Sequence, residues 1–174
     1  AVDAAVAVGF ALAVTYPAAG NIGGGGFMVI HLSDGTNTTI DYREKAPLAA
    51  TEFLYQDSLG NFLPEKSQIG VTSSGVPGSV AGLIYALEKY GTLSLAEVIQ
   101  PAIDLARNGF VLEYRLARSL EYETESFNKF ESSKKTFTKN GTPYIEGELF
   151  IQNDLAYTLE QIKLKGLDGF YSGR

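Results

Sequence analysis

The segment Asp41-Tyr42-Arg43-Glu44-Lys45-Ala46-Pro47 sets the charged side chains of Asp41, Arg43 and Glu44 at the end of a stretch that otherwise reads as a strand. Arg43 offers a planar guanidinium fork, which suits two parallel hydrogen bonds to a carboxylate. The same residues also suit a structural ion pair of Arg43 with Asp41 or Glu44, and residue type alone leaves both readings open. His31 is the single histidine of the chain. It has no second histidine for a metal pair and no local nucleophile to activate, so it reads as an ordinary strand residue. Ser79 lies in GVPGSVAG, but Pro77 and Ala81 stand where a nucleophile elbow needs glycines. This segment leads from a strand into a helix, whose first amides suit an anion. A tight strand-to-helix turn packed on the sheet is the favoured reading.

Residues 20–26, GNIGGGG, spend five of seven positions on glycine. Glycine has the largest backbone entropy to lose on folding, so these torsions or a close approach must be required. The loop has no Lys-Ser/Thr pair after Gly26, as a Walker loop needs, and it lacks the spacing of a dinucleotide fingerprint. It leaves a helix and enters a strand, so no helix N-terminus points at a phosphate. Close packing of backbone against another segment or a ligand is the better reading.

The elements that position these residues follow from periodicity. Residues 1–16 predict a helix with small apolar residues on every face, the pattern of a buried helix, ended by Pro17. FMVIHL (27–32) and TTIDYRE (38–44) predict two strands joined by a turn at SDGTN, a β-hairpin with a loop of four or five residues. Residues 46–68 predict a surface excursion turning at Asp57 to Asn61, and GVTSSG (70–75) a third short strand. A helix then starts near Pro77 and ends at Gly91. The next has Ser94 as its N-cap with Glu97 three residues on, a capping box, and contains Pro101 as a potential kink. Short polar helices, charged turns at Asn140-Gly141 and Glu146-Gly147, and an amphipathic helix over QNDLAYTLEQIKLKG follow. There is no internal repeat, and the order predicts layered α/β with an antiparallel sheet piece.

A length of 174 residues allows one domain with a sizeable core, and 45% hydrophobic with 20% charged residues reads as soluble and globular. A net charge of -6 argues against a nucleic-acid surface. With no cysteine, the chain has no disulfide, thiol nucleophile or thiolate metal site. The apolar run from Ala4 to Val14 is shorter than the roughly 20 residues that span a bilayer, and it lacks the basic flank of a signal peptide. Residue 1 is Ala, the first helical pattern is already under way there, and the chain stops just after a turn. We therefore expect a single partial domain over residues 1–174, a piece of a longer protein.

Four blocks, AVDAAVAVGFALAVTYPAAGNIGGGGFMVIH, IDYREKAP, GVPGSVAGL and QPAIDLARNGF, in that order and spacing, closely resemble the large subunit of the γ-glutamyltranspeptidases. EKYGTLSLAEVIQPAIDLARNGF and the ending GLDGFYSGR resemble the same family, and the likeness is weakest over residues 112–146. The resemblance implies part of an N-terminal-nucleophile hydrolase αββα sandwich, of α+β type, incomplete without the small subunit. It implies a precursor that cleaves itself, with the new N-terminal Thr of the small subunit attacking the γ-glutamyl amide of glutathione or a related compound. The acyl group then passes to water or to an amino-acid or peptide acceptor. By the same resemblance Arg43 binds the substrate α-carboxylate and Glu44 supports it, while the catalytic Thr lies outside this chain. The implied partners are the chain's own small subunit and a small γ-glutamyl substrate, with no cofactor, no metal and no nucleic acid. The implied location is periplasmic, secreted or at the outer cell surface. A cephalosporin or glutaryl acylase, a poly-γ-glutamate depolymerase on the same scaffold, and a non-catalytic paralogue remain the alternatives.

Overall fold

A computed structural model describes residues 1–172, so the last two residues of the GLDGFYSGR ending lie outside the described residues. The chain divides into two compact units, one formed by residues 1–21 with the chain from 87 onward, the other by residues 22–86.

In the first unit, helix α1 (Val2–Thr15) packs on α4 (Leu95–Asn108), and α4 on α8 (Asn153–Lys165). Helix α4 buries Val98, Ile99, Ala102, Ile103 and Ala106, one stripe at helical spacing, so apolar burial against its neighbours holds it. Its start is the expected capping box: the Ser94 hydroxyl accepts from the Glu97 amide at 3.3 Å, and the Glu97 carboxylate accepts from the Ser94 amide at 2.9 Å. The helix runs unbroken through Pro101, which lies on its exposed side. The fully apolar pattern of α1 predicts burial all round, but only Val6, Phe10, Ala13 and Val14 are buried. Val8 and Leu12 stay half exposed, because the described segments of this unit cover a single face. The buried Gln152 side chain, just ahead of α8, donates to the Val14 carbonyl at 2.8 Å and satisfies an orphan acceptor at the end of α1.

A second cluster of the same unit surrounds Phe150. Strands β3 (Phe110–Val111) and β4 (Leu149–Phe150) pair antiparallel, with Phe110 opposite Phe150. Leu112, Leu116, Ala117 and Leu120 complete the core with helix α5 (Tyr114–Tyr122), and Phe127, Phe137 and Tyr144 pack around it. Phe127 belongs to the short α6 (Thr124–Phe127), and Phe137 ends α7 (Glu131–Phe137), a helix that begins ahead of the stretch read as charged turns and runs into it.

In the second unit, β1 (Phe27–His31) and β2 (Asn37–Asp41) form the expected hairpin with a five-residue loop, in the register Phe27 to Asp41 through His31 to Asn37. The excursion turns where its sequence indicates, with the Asp57 carboxylate accepting from the Leu59 and Asn61 amides at 2.8 and 2.9 Å. It then enters the short α2 (Pro64–Gln68). The expected third strand over residues 70–75 does not form. Val71–Ser73 is a 3-10 turn, and only Val76 bridges to Lys45. Thr72 and Ser73 hydroxyls donate to the Lys66 and Gly70 carbonyls at 2.7 Å each, and this local bonding wins over an extended ladder. Helix α3 (Ser79–Tyr90) begins in this unit. Among the described residues no helix is long and apolar enough to cross a membrane.

Candidate functional site

The hairpin delivers the charged segment. Strand β2 ends at Asp41, and one further residue keeps the ladder: the Tyr42 amide donates to the Gly26 carbonyl at 3.0 Å. Three residues on, Lys45 and Val76 exchange both backbone hydrogen bonds, at 3.1 and 2.7 Å. Arg43 and Glu44 therefore sit on a span of backbone tied at both ends, with side chains free to point outward. The Arg43 amide is taken by the Asp41 carboxylate at 3.1 Å, an Asx-type local bond that shapes the turn.

The Arg43 side chain is 62% exposed and that of Glu44 40%, and their charged atoms lie 3.7 Å apart. At that distance and exposure the pair contributes little to stability. The Asp41 carboxylate meets the Arg43 backbone rather than its guanidinium. Of the two ion pairs the sequence allows, the structure forms the one with Glu44, loosely and exposed, and not one with Asp41. Tyr42, between Asp41 and Arg43, has the opposite fate. It is half-buried, and burial raises its phenol above the ordinary value of 10.0.

The glycine-rich loop contacts this segment directly. A β-carbon at residue 25 would lie 2.6 Å from the Glu44 nitrogen and the Tyr42 carbonyl oxygen and 2.7 Å from the Arg43 α-carbon. At Gly26 it would meet the edge of the Tyr42 ring at 3.0 Å. Likewise, β-carbons at Gly78 and Gly82 would overlap the Tyr42 carbonyl and ring, and one at Gly75 would press on the Lys45 carbonyl at 3.1 Å. The Gly24 carbonyl in turn accepts from the Gly78 and Ser79 amides at 2.8 and 3.0 Å. Those two amides are the donors an anion at the start of α3 would need, so the tight-turn reading of GVPGSVAG is the one the geometry supports. The glycine loop is likewise a packing device. Spacing alone did not say what approaches it, although Gly75, Gly78 and Gly82, three and four residues apart, do mark one close face.

His31 pairs across the hairpin, its Nδ1 2.8 Å from the Asn37 side-chain oxygen on the exposed face, as befits a plain strand residue. Among the described residues no group of three or more His, Cys, Asp or Glu side chains is placed to hold a metal ion.

Comparison with known proteins converges. The family model for gamma-glutamyltranspeptidase matches residues 1–174. The chain is 54% identical to a glutathione hydrolase proenzyme of Pseudomonas sp. (strain A14), over 99% of this chain and 30% of that protein. It superimposes on the crystal structure of Helicobacter pylori gamma-glutamyltranspeptidase with a TM-score of 0.97 at 55% identity, covering all of this chain and 50% of the other. The Bacillus anthracis transpeptidase CapD matches with a TM-score of 0.79 at 37% identity, over 99% of this chain and 52% of the other. The chain thus spans about a third or less of the curated relative's length.

Proposed function

The chain belongs to the gamma-glutamyltranspeptidase family and has its fold, and on that premise we propose that it is the α-carboxylate-binding part of a γ-glutamyltransferase or glutathione hydrolase. The observation that supports this best is the outward-facing Arg43 fork on a backbone tied at both ends. A bidentate, charge-assisted contact from Arg43 fixes which end of a γ-glutamyl donor faces the nucleophile. Glu44, 3.7 Å from the guanidinium and exposed, makes only a weak supporting contact to Arg43.

The chemistry proposed is acyl transfer. An N-terminal Thr hydroxyl from the small subunit adds to the γ-carbonyl, its own terminal amine taking the proton. The tetrahedral oxyanion collapses, the amide C–N bond breaks, and the protonated amine leaves a γ-glutamyl ester. Water or an acceptor amine then cleaves that ester and returns the hydroxyl. The small subunit comes from the same precursor, a partner that the proenzyme name and partial coverage of the relative support. On this reading the protein works in the periplasm, outside the cell or at its outer surface.

A second reading, action on another amide, is favoured by the likeness to CapD, although the identity to the glutathione hydrolase is higher. Expression of the full-length protein separates them, with subunit cleavage followed by intact mass and turnover of a γ-glutamyl anilide by absorbance. Cleavage with turnover is expected. In the same protein Arg43→Lys keeps the charge and loses the fork, so kcat/KM for the anilide is expected to fall about tenfold or more. Unchanged kcat/KM would remove Arg43 from carboxylate binding.

A further inference from the structure

We propose that Gly25 and Gly78, both closing on the Tyr42–Glu44 backbone, are positioning residues for Arg43 and thereby set the preference for donors that carry an α-carboxylate. The proposal rests on the reading of Arg43 as the carboxylate-binding group.

Arg43 has a long, flexible side chain, and its own contacts do little to orient it: the Glu44 partner is 3.7 Å away and both are exposed. Its precision must come from the backbone that carries it. That backbone is held by two segments, the loop at Gly24–Gly26 and the turn at Gly75–Gly78. Gly25 leaves no room for a single methyl group, since a β-carbon would be 2.7 Å from the Arg43 α-carbon itself. Gly78 would drive its β-carbon into the Tyr42 carbonyl and come within 2.9 Å of the Arg43 carbonyl. Both obstacles are backbone, which cannot rotate away as a side chain tip can. The two walls are also bonded to each other, because the Gly24 carbonyl takes the Gly78 and Ser79 amides. They cannot part to admit a methyl without breaking those bonds. Tyr42 is the filler between them, its ring against Gly26 and Gly82. Added volume at Gly25 therefore translates into displacement of Arg43, and a displacement of ångström scale is enough to spoil a bidentate contact.

The test compares two anilide donors on the full-length, processed protein: γ-glutamyl-4-nitroanilide, and 4-aminobutyryl-4-nitroanilide, which lacks only the α-carboxylate. The reading is the ratio of their kcat/KM values. Gly25→Ala is expected to lower that ratio about fivefold or more, chiefly by raising KM for the glutamyl donor. Should Gly25→Ala yield no processed protein, Gly26→Ala decides. The nearest atoms to its β-carbon are at the Tyr42 ring edge and hydroxyl, at 3.0 to 3.1 Å, and a fall of about twofold to threefold is expected from the smaller push. An unchanged ratio, or an equal loss for both donors, overturns the proposal, the second because it marks general damage to the fold. Arg43→Lys run alongside separates the two layers. If the ratio survives Arg43→Lys, the carboxylate reading itself is wrong. If it collapses there but survives both glycine variants, only the positioning proposal fails.

Discussion

The surroundings of Phe150 and of Arg43 are held in opposite ways. Phe150 is fully buried, with Phe110 edge-on at 5.9 Å, Tyr144 edge-on at 5.2 Å and Phe137 at 6.2 Å. Leu112, Leu116 and Leu120 fill the space around it. The side chains there are the structure, and the backbone follows them. At Arg43 the side chains of the strand end face outward, and glycines supply the close backbone contact from within. The first arrangement is hurt by taking atoms away, the second by adding one. A fold needs the first for stability, whereas a site that must hold a charged fork outward cannot bury that fork and uses the second.

That contrast is open to direct attack. Phe150→Ala removes a ring from a packed cluster and is expected to destabilise the protein by about 3–5 kcal/mol, read by urea unfolding. The ratio between glutamyl and 4-aminobutyryl donors should stay within about twofold of the parent in whatever protein remains folded, because Phe150 and Arg43 belong to different compact units. A fall in that ratio as large as the one expected for Gly25→Ala would break the separation of roles. A smaller effect sharpens it. Ser94→Ala takes the acceptor from the Glu97 amide at the start of α4 and is expected to cost about 1 kcal/mol of stability in the same unfolding measurement. The Ser94 hydroxyl, and after it the Ser94 amide, hold the Glu97 carboxyl below its ordinary value of 4.5. The variant should therefore also bring the Glu97 carboxyl back toward that value, by NMR titration.

Features written in adjacent residues were legible from sequence. The Ser94-Glu97 box, the hairpin and the Asp57 turn each rest on contacts a few residues apart. So does Asn140-Gly141, where positive φ at both residues, 54° and 97°, closes a tight turn between Lys139 and Thr142. Arg43 was legible as chemistry but not as a choice between clamp and ion pair, because that depends on where Asp41 and Glu44 turn their carboxylates. The role of the glycines was half legible: their number announced a close approach, but the approaching segment is brought in by tertiary structure. The segment Val71–Ser73 reads as strand because Val and Thr suit one by propensity, but the Thr72 and Ser73 hydroxyls bond to nearby carbonyls instead. Strands β3 and β4, two residues each, are made by long-range pairing that no local pattern announces.

Asp3 offers the finest test, because at this point the packed unit also uses a glycine. The Asp3 carboxylate accepts from the Thr92 and Leu93 amides at 2.7 and 3.0 Å and from the Thr92 hydroxyl at 3.0 Å, pinning the turn after α3 to the first turn of α1. A β-carbon on Gly91 would sit 2.6 Å from the Leu87 carbonyl oxygen and 2.7 Å from an Asp3 carboxylate oxygen, so glycine here makes room for a side chain as well as for backbone. The Leu93 amide, then the Thr92 amide, lower the Asp3 carboxyl below its ordinary value of 3.8. The unfolded chain then binds the proton more readily than the folded one, so stability rises with pH through this window. The contribution is fully present above the ordinary value of 3.8 and is lost as pH falls through the lowered folded value. Asp3→Asn removes the charge and, with it, the upward push that Asp3 exerts on the Glu97 carboxyl. The gap in Tm between parent and variant should be widest near neutral pH and close below the ordinary value. A gap that stays constant down the acid limb would mean that Asp3 does not anchor the turn, and that packing alone holds α1 in place.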